Sequence, residues 1–175
     1  AACGSDTTTP TPTNAANSGE QGGTTAVVGN FAVPAEGYDG SEVTIKFAHT
    51  MGAKLQEVLN YHIGEFNKLY PNITVNLRLY TDYGRIYSDV ITNIATDTTP
   101  NVRITYPDHI ATYLTGDNTV VPLDELMADE KFGLGGSEVR FESPKQDEII
   151  EKYLDEGMIG DEHYALPFLR STEAC

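Results

Sequence analysis

The sequence predicts an α/β protein, a doubly wound half-domain built on a parallel sheet. Three observations lead there. Between residues 43 and 106, three short runs carry apolar residues at alternate positions, the period of a strand. The first two are each followed by a longer run with apolar residues three and four apart, the period of an amphipathic helix. Only a few residues connect these runs, so strands alternate with helices, and that pattern implies parallel pairing through right-handed crossovers.

The first strand is VTIKFAHT, with Val43, Ile45 and Phe47 on one side, and it is broken by Thr50-Met51-Gly52. AKLQEVLNYHIGEFNKLY follows as a helix, with Leu55, Leu59, His62 or Ile63, Phe66 and Leu69 facing inward; His62 sits on its border as half-buried packing. Pro71-Asn72 ends that helix, since proline cannot continue it. The second strand is ITVNLRLY, with Ile73, Val75, Leu77 and Leu79 on one face. YGRIYSDVITNIAT is the second helix, with Ile86, Val90, Ile91 and Ile94 inward, and Thr99-Pro100 closes it before a third strand, NVRITY. Farther on the pattern gives a short helix HIATYL, an apolar Val120-Val121-Pro122-Leu123 entering DELM, an acidic helix near Asp147 to Asp155, and a last strand HYALPF. No internal repeat is present.

The stretch from Ala1 to Gly40 reads differently. It is rich in Thr, Asn, Gly, Ser and Pro and poor in large apolar residues. It cannot bury enough surface to offset the entropy of ordering it, so residues 1–40 are expected to be a disordered tether and residues 41–175 the folded lobe. The 175 residues carry 11 Lys and Arg against 26 Asp and Glu, a formal charge of −15. That field repels nucleic acid and anionic membranes, and no basic stripe relieves it. No run approaches the roughly 18 apolar residues of a membrane helix.

Cys3 and Cys175 stand at opposite ends, one in the tether, and do not read as a structural disulfide. The opening Ala-Ala-Cys, leading into a polar Thr- and Pro-rich stretch, looks like the trailing end of a bacterial lipoprotein signal. Lipid would then attach at Cys3, leaving the membrane touched only through that anchor.

Familiar catalytic signatures are missing. There is no glycine-rich phosphate loop and no nucleophile elbow. The four histidines show no paired ligand spacing on one helix, so neither a metal nor a cofactor is expected. His49 and His109 both sit at strand ends, where with Asp108 they could form an acid/base or metal cluster. In open α/β sheets, ligands bind outside the carboxyl ends of the strands. This rule selects three loops: His49 to Gly52, Thr81 to Gly84, and Tyr106 to His109. Tyr83 and Tyr106 offer flat apolar faces with a hydroxyl, suited to stacking on a sugar-like ring while hydrogen-bonding it. They read equally as core tyrosines with exposed tips. Asp82, Asp108 and Glu173 read equally as solvated residues or caps, with Asp108 at the start of HIATYL. Arg103 is awkward in a strand covered on both faces.

Taken together, the strand ending in AHTMG, then EFNKLYPNITV, TDYGRIYSDVITNIA, TPNVRITYPDHIATYL, TVVPLDELM and HYALPFLRSTE resemble the extracellular solute-binding proteins of bacterial ABC importers, family 1, of the sugar- and glycerol-phosphate-binding kind. The resemblance covers roughly Glu42 to Cys175 in order and spacing. It implies a periplasmic-binding-protein-like fold of type II, of which this chain carries the first lobe, ending at the hinge crossover. Carried over by position, the ligand-binding residues are Thr50, Met51, Tyr83, Tyr106, Asp108 and His109, with Ser171, Thr172 and Glu173 on the segment entering the hinge. Two departures stand out: many relatives have Trp where Ala48 stands, and the position of Arg103 is usually apolar.

The resemblance implies a monomeric, non-enzymatic capture protein for a carbohydrate or small polyol. It would be lipid-anchored on the extracellular face of the membrane (the periplasmic side in a Gram-negative cell) and would deliver its solute to a permease. The alternatives are a secreted carbohydrate-acting hydrolase using Asp108, Glu173 or His109, and a ligand-binding sensor feeding a receptor.

Overall fold

The computed structural model describes residues 26–28, 31–116 and 119–171. Its centre is a three-stranded parallel sheet formed by β3 (Val43–His49), β4 (Ile73–Leu79) and β5 (Val102–Arg103), in the order β4-β3-β5. Before it, β1 (Ala26–Val28) and β2 (Phe31–Val33) form a small antiparallel pair within the stretch expected to be a tether. The helix α1 (Ala53–Leu69) links β3 to β4, and α2 (Tyr83–Thr96) links β4 back across β3 to β5. This reversal of direction about a central first strand is the doubly wound arrangement that the alternating pattern predicts.

Register fixes the faces. Val43 pairs with Ile73 and His49 with Leu79 along the full β3–β4 ladder, while Phe47 and Ala48 pair with Val102 and Arg103. Phe47, Leu77 and Val102 therefore share one face, and Ala48, Arg78 and Arg103 the other. The core gathers Ala48, Met51 and Ile104 with Ile86 and Val90 of α2 and Tyr113 of α3 (Pro107–Tyr113).

Several expectations about burial change here. Ile86, Val90 and Ile94 face the core, but Ile91 is 36 % exposed, because each helical step turns 100° and carries it to the flank beyond Val90. No residue of α1 is fully buried; Leu55, expected inward, is exposed, as is His62, expected to be half-buried on the helix border, while Leu59, Ile63, Phe66 and Leu69 are half-buried. The third strand ladders only over Val102 and Arg103, extended by hydrogen bonds from Asn101 N–H to Lys46 and from Ile104 N–H to Ala48.

The distal part is irregular. It contains α4 (Asp124–Ala128), α5 (Glu151–Leu154) and a hairpin of β6 (Met158–Ile159) with β7 (Glu162–His163). The expected acidic helix is split into a 3-10 turn at Gln146–Glu148, α5, and a second turn at Asp155–Gly157. Its concentrated like charges give a continuous helix no internal support. HYALPF is a strand only through His163, since from Ala165 onward the backbone pairs with no strand among the described residues and Pro167 has no N–H to offer one.

Candidate functional site

The carboxyl ends of all three parallel strands lie along one edge of the sheet, so the loops after them share it. The first loop is tied down by His49. Its side chain is fully buried, Nδ1 accepts from the Met51 N–H at 3.1 Å, and its carbonyl accepts from the Tyr80 N–H at 2.8 Å. Burial pushes the imidazole toward its neutral form. His49 thus braces the first loop against the second.

The second loop starts α2. Asp82 caps the helix by accepting the Arg85 N–H at 2.9 Å, and Thr81 Oγ1 donates to its other oxygen at 3.1 Å. The Arg85 hydrogen bond holds the Asp82 carboxyl below its ordinary range. Asp82 is therefore spent on the backbone, which fixes where Tyr83 emerges. The third loop starts α3, with Tyr106 at the N-cap and Pro107 in the first turn. The helix begins two residues before HIATYL, so Asp108 lies inside the first turn, exposed, and is not the cap. There its charge favours the positive end of the helix.

The two later loops meet through Tyr83 and Tyr106, whose rings stack with centroids 4.1 Å apart and planes 20° apart. Tyr106 is 50 % exposed, whereas Tyr83 is half-buried. His109 stands edge-on to Tyr106 at 5.5 Å and packs over Tyr87 at 4.5 Å, and its buried Nδ1 has no hydrogen-bond partner among the described residues. Tyr87 in turn touches Tyr113 at 5.8 Å, and the Arg103 guanidinium lies 4.0 Å over the Tyr113 ring. A continuous stack of rings therefore runs from the exposed edge into the core. Arg103, awkward in sequence, closes it: burial lowers its pKa, and an aromatic face takes the place of a carboxylate.

Among the expected site residues, Tyr83, Tyr106 and His109 come together, and Asp108 and the half-buried Thr50 lie on the same edge. Met51 is a correction. The residue is 6 % exposed and packs in the core cluster. Ser171 is exposed beyond the β6–β7 hairpin, and Thr172, Glu173 and Cys3 lie outside the described residues. His49 and His109 turn to different neighbours, Phe47 and Tyr87, and no group of three metal-ligating side chains occurs among the described residues. Tyr87 is the supporting residue the sequence reading missed. Its spacing of four from Tyr83 puts both rings on one face of α2 and is the signal that could have found it.

The tyrosine pair is an open platform. Two shallow depressions lie elsewhere, one of about 340 Å³ between Tyr38, Tyr70 and Arg140, and one of about 430 Å³ beside α2 with Arg78 and Arg85 on its walls. Neither contains Tyr106.

A family 1 extracellular solute-binding protein from Alicyclobacillus acidocaldarius superposes with a TM-score of 0.53 at 19 % identity, over 70 % of this chain and 27 % of that one. The fold is that of part of a solute-binding-protein lobe. The chain therefore spans about a quarter of the length of that relative. A de novo designed cysteine esterase, ECH19, superposes equally well, at TM-score 0.53 and 20 % identity over 70 % of this chain and 26 % of the other. CpMnBP1, solved with mannotriose bound, gives a TM-score of 0.49 at 11 % identity over 69 % of this chain and 27 % of its own. Neither a family profile nor a curated protein matches the sequence. Among the described residues, no helix is long and apolar enough to cross a membrane.

Proposed function

We propose that this protein captures a carbohydrate or small polyol and presents it to the permease of an ABC importer. The observation that carries the reading is the stacked Tyr83–Tyr106 pair, half open to solvent at the carboxyl edge of a doubly wound sheet. That edge, where the winding reverses direction, is where such sheets bind ligands. A flat phenol carried on a second ring is a rigid platform for the apolar face of a sugar. Thr50, Asp108 and His109 supply hydroxyl, carboxylate and imidazole groups around it, suited to a neutral polyhydroxylated ligand.

In this reading Ser171, Thr172 and Glu173 approach from the segment entering the hinge, and a second lobe closes over the solute. Closure shifts a hinge equilibrium that the permease reads. Residues 1–40 serve as the tether of a lipid anchor at Cys3, and residues 41–175 as the first lobe. The protein then works as a monomer on the outer face of the cell membrane. The proposed chemistry is binding; among the described residues the site's carboxylates, Asp82 and Asp108, are a helix cap and an exposed first-turn residue, and neither is hydrogen-bonded to an imidazole.

The test is a thermal-shift panel of sugars and polyols on the protein expressed from its complete gene, with Tyr106→Ala and Tyr106→Phe beside the wild type. At about 100 Kd a true ligand adds about 2.7 kcal/mol, a rise in Tm of several degrees. Tyr106→Ala should weaken binding about tenfold, and Tyr106→Phe should largely keep it. No stabilisation by any member of the panel, or turnover of a glycoside, overturns the reading.

A further inference from the structure

His163 lies far from the tyrosine platform in sequence and has surroundings the binding reading does not use. Its side chain is buried, with the residue 7 % exposed. Nδ1 is 2.7 Å from Asp124 Oδ1, and its backbone N–H donates to Asp124 Oδ2 at 2.7 Å. Its carbonyl accepts the Leu123 N–H at 2.8 Å. One carboxylate at the start of α4 therefore grips both the main chain and the side chain of β7.

The contact with Asp124 makes Nδ1 a donor, which leaves the lone pair of a neutral imidazole on Nε2. Nε2 is buried, has no hydrogen-bond partner among the described residues, and lies 3.7 Å from Asp155 Oδ1 on the turn Asp155–Gly157. In the neutral ring, the buried Nε2 lone pair faces a carboxylate and finds no donor among the described residues. In the imidazolium, the same two atoms become donor and acceptor with a small shift of the exposed Asp155 side chain.

No other charge relieves this arrangement. Asp124 and Asp155 form no ion pair with Lys or Arg among the described residues. Glu156 on the same turn is paired with Arg170, and Glu162 on β7 accepts from the Tyr164 hydroxyl at 2.7 Å. On α4, Glu125 is exposed. Burial opposes ionisation of Asp124, but the hydrogen bonds from His163 outweigh it and hold that carboxyl below its ordinary range, so the clasp keeps its anion under mildly acidic conditions.

We propose that His163 is a proton-operated clasp: its imidazolium joins Asp124 of α4 and Asp155 of the turn across β7, and loss of the proton releases Asp155. The segment it controls follows directly. Tyr164 N–H donates to the Gly157 carbonyl at 2.8 Å, and beyond it Leu166, Phe168 and Leu169 stand exposed. Protonation tightens the root of that segment and deprotonation loosens it. The device is independent of the solute-binding reading.

Amide hydrogen exchange at His163 and Tyr164, with the ring nitrogens of His163 followed by NMR, tests this at pH about 5.5 and about 8. After correction for intrinsic exchange, protection should be about tenfold greater at the lower pH, the scale of one charge-assisted hydrogen bond. Asp155→Asn offers the neutral ring an amide donor, so the pH difference should collapse while the fold persists. His163→Gln should lose it as well. Equal protection at both pH values in the wild type, or an undiminished difference in Asp155→Asn, overturns the proposal.

Discussion

Ile86→Ala and Ile91→Ala delete the same three carbon groups from one helix and should differ sharply in cost. Ile86 is 1 % exposed and packs in the cluster with Ala48 and Tyr113, whereas Ile91 is 36 % exposed on the flank of α2. At about 0.8 kcal/mol for each buried group, the transfer part alone is about 2 kcal/mol at position 86. The cavity left beneath the sheet adds a further share, bringing the expected loss to about 3 kcal/mol, inside the roughly 2–5 kcal/mol range for such truncations. At position 91 only part of the surface leaves water on folding, and alanine's better helix propensity returns a few tenths, so the loss should stay near or below about 1 kcal/mol. Urea unfolding followed by circular dichroism separates the two: with a slope of about 1.5 kcal/mol per molar, the midpoints should differ by more than about 1 M. Equal midpoints would mean that α2 does not seat Ile86 against the sheet. The placement of Tyr83 and Tyr87 on the same helix would then fall with it.

Asp82→Asn should keep the cap of α2 while removing its titration. The folded pKa of Asp82 is depressed, so its stabilisation is present above the ordinary carboxylate pKa and is lost as pH falls through the folded value. Thermal unfolding below pH about 4 should accordingly be less acid-sensitive in Asp82→Asn than in the wild type, and parallel profiles would count against the cap. Arg103→Met should cost no more than about 1 kcal/mol, because the thioether can refill the contact with Tyr113 and no carboxylate is left unpaired among the described residues. A loss above about 3 kcal/mol in urea titration would reveal a charged partner for the guanidinium. Gly157→Ala should be costly, since the added carbon would fall 2.4 Å from the Ala165 carbonyl oxygen. It should lower stability by about 1–3 kcal/mol and raise amide exchange at Tyr164; unchanged exchange there would argue against the crossing of these two backbones.

Much of the fold was legible because its signals are local. The alternation in VTIKFAHT and ITVNLRLY holds through their middles, at Ile45, Phe47, Val75 and Leu77, while Val43 and Leu79 at the strand ends are exposed; Ile86, Val90 and Ile94, four apart, share the core face of α2. The edge carrying Tyr83 and Tyr106 followed from strand order alone. What periodicity could not resolve was depth: it gave Leu55 and Ile91 the same rank as Ile86, although only Ile86 has packing on all sides. Met51 shows the same limit, as a loop residue that packs in the core cluster. HYALPF has the residues of a strand, but a strand also needs a neighbour.

By itself, the sequence determined the β-α-β-α-β order of the central unit, its parallel pairing and the three loops that share the carboxyl edge of the sheet, because those follow from side-chain period and short connections. Tertiary structure alone decided the rest. The 4.1 Å stack of Tyr83 on Tyr106, the seat of Arg103 on Tyr113 and the grip of Asp124 on His163 join residues 23, 10 and 39 positions apart. Contacts at such separations depend on how rigid elements cross in space, and no local pattern in the chain encodes that crossing.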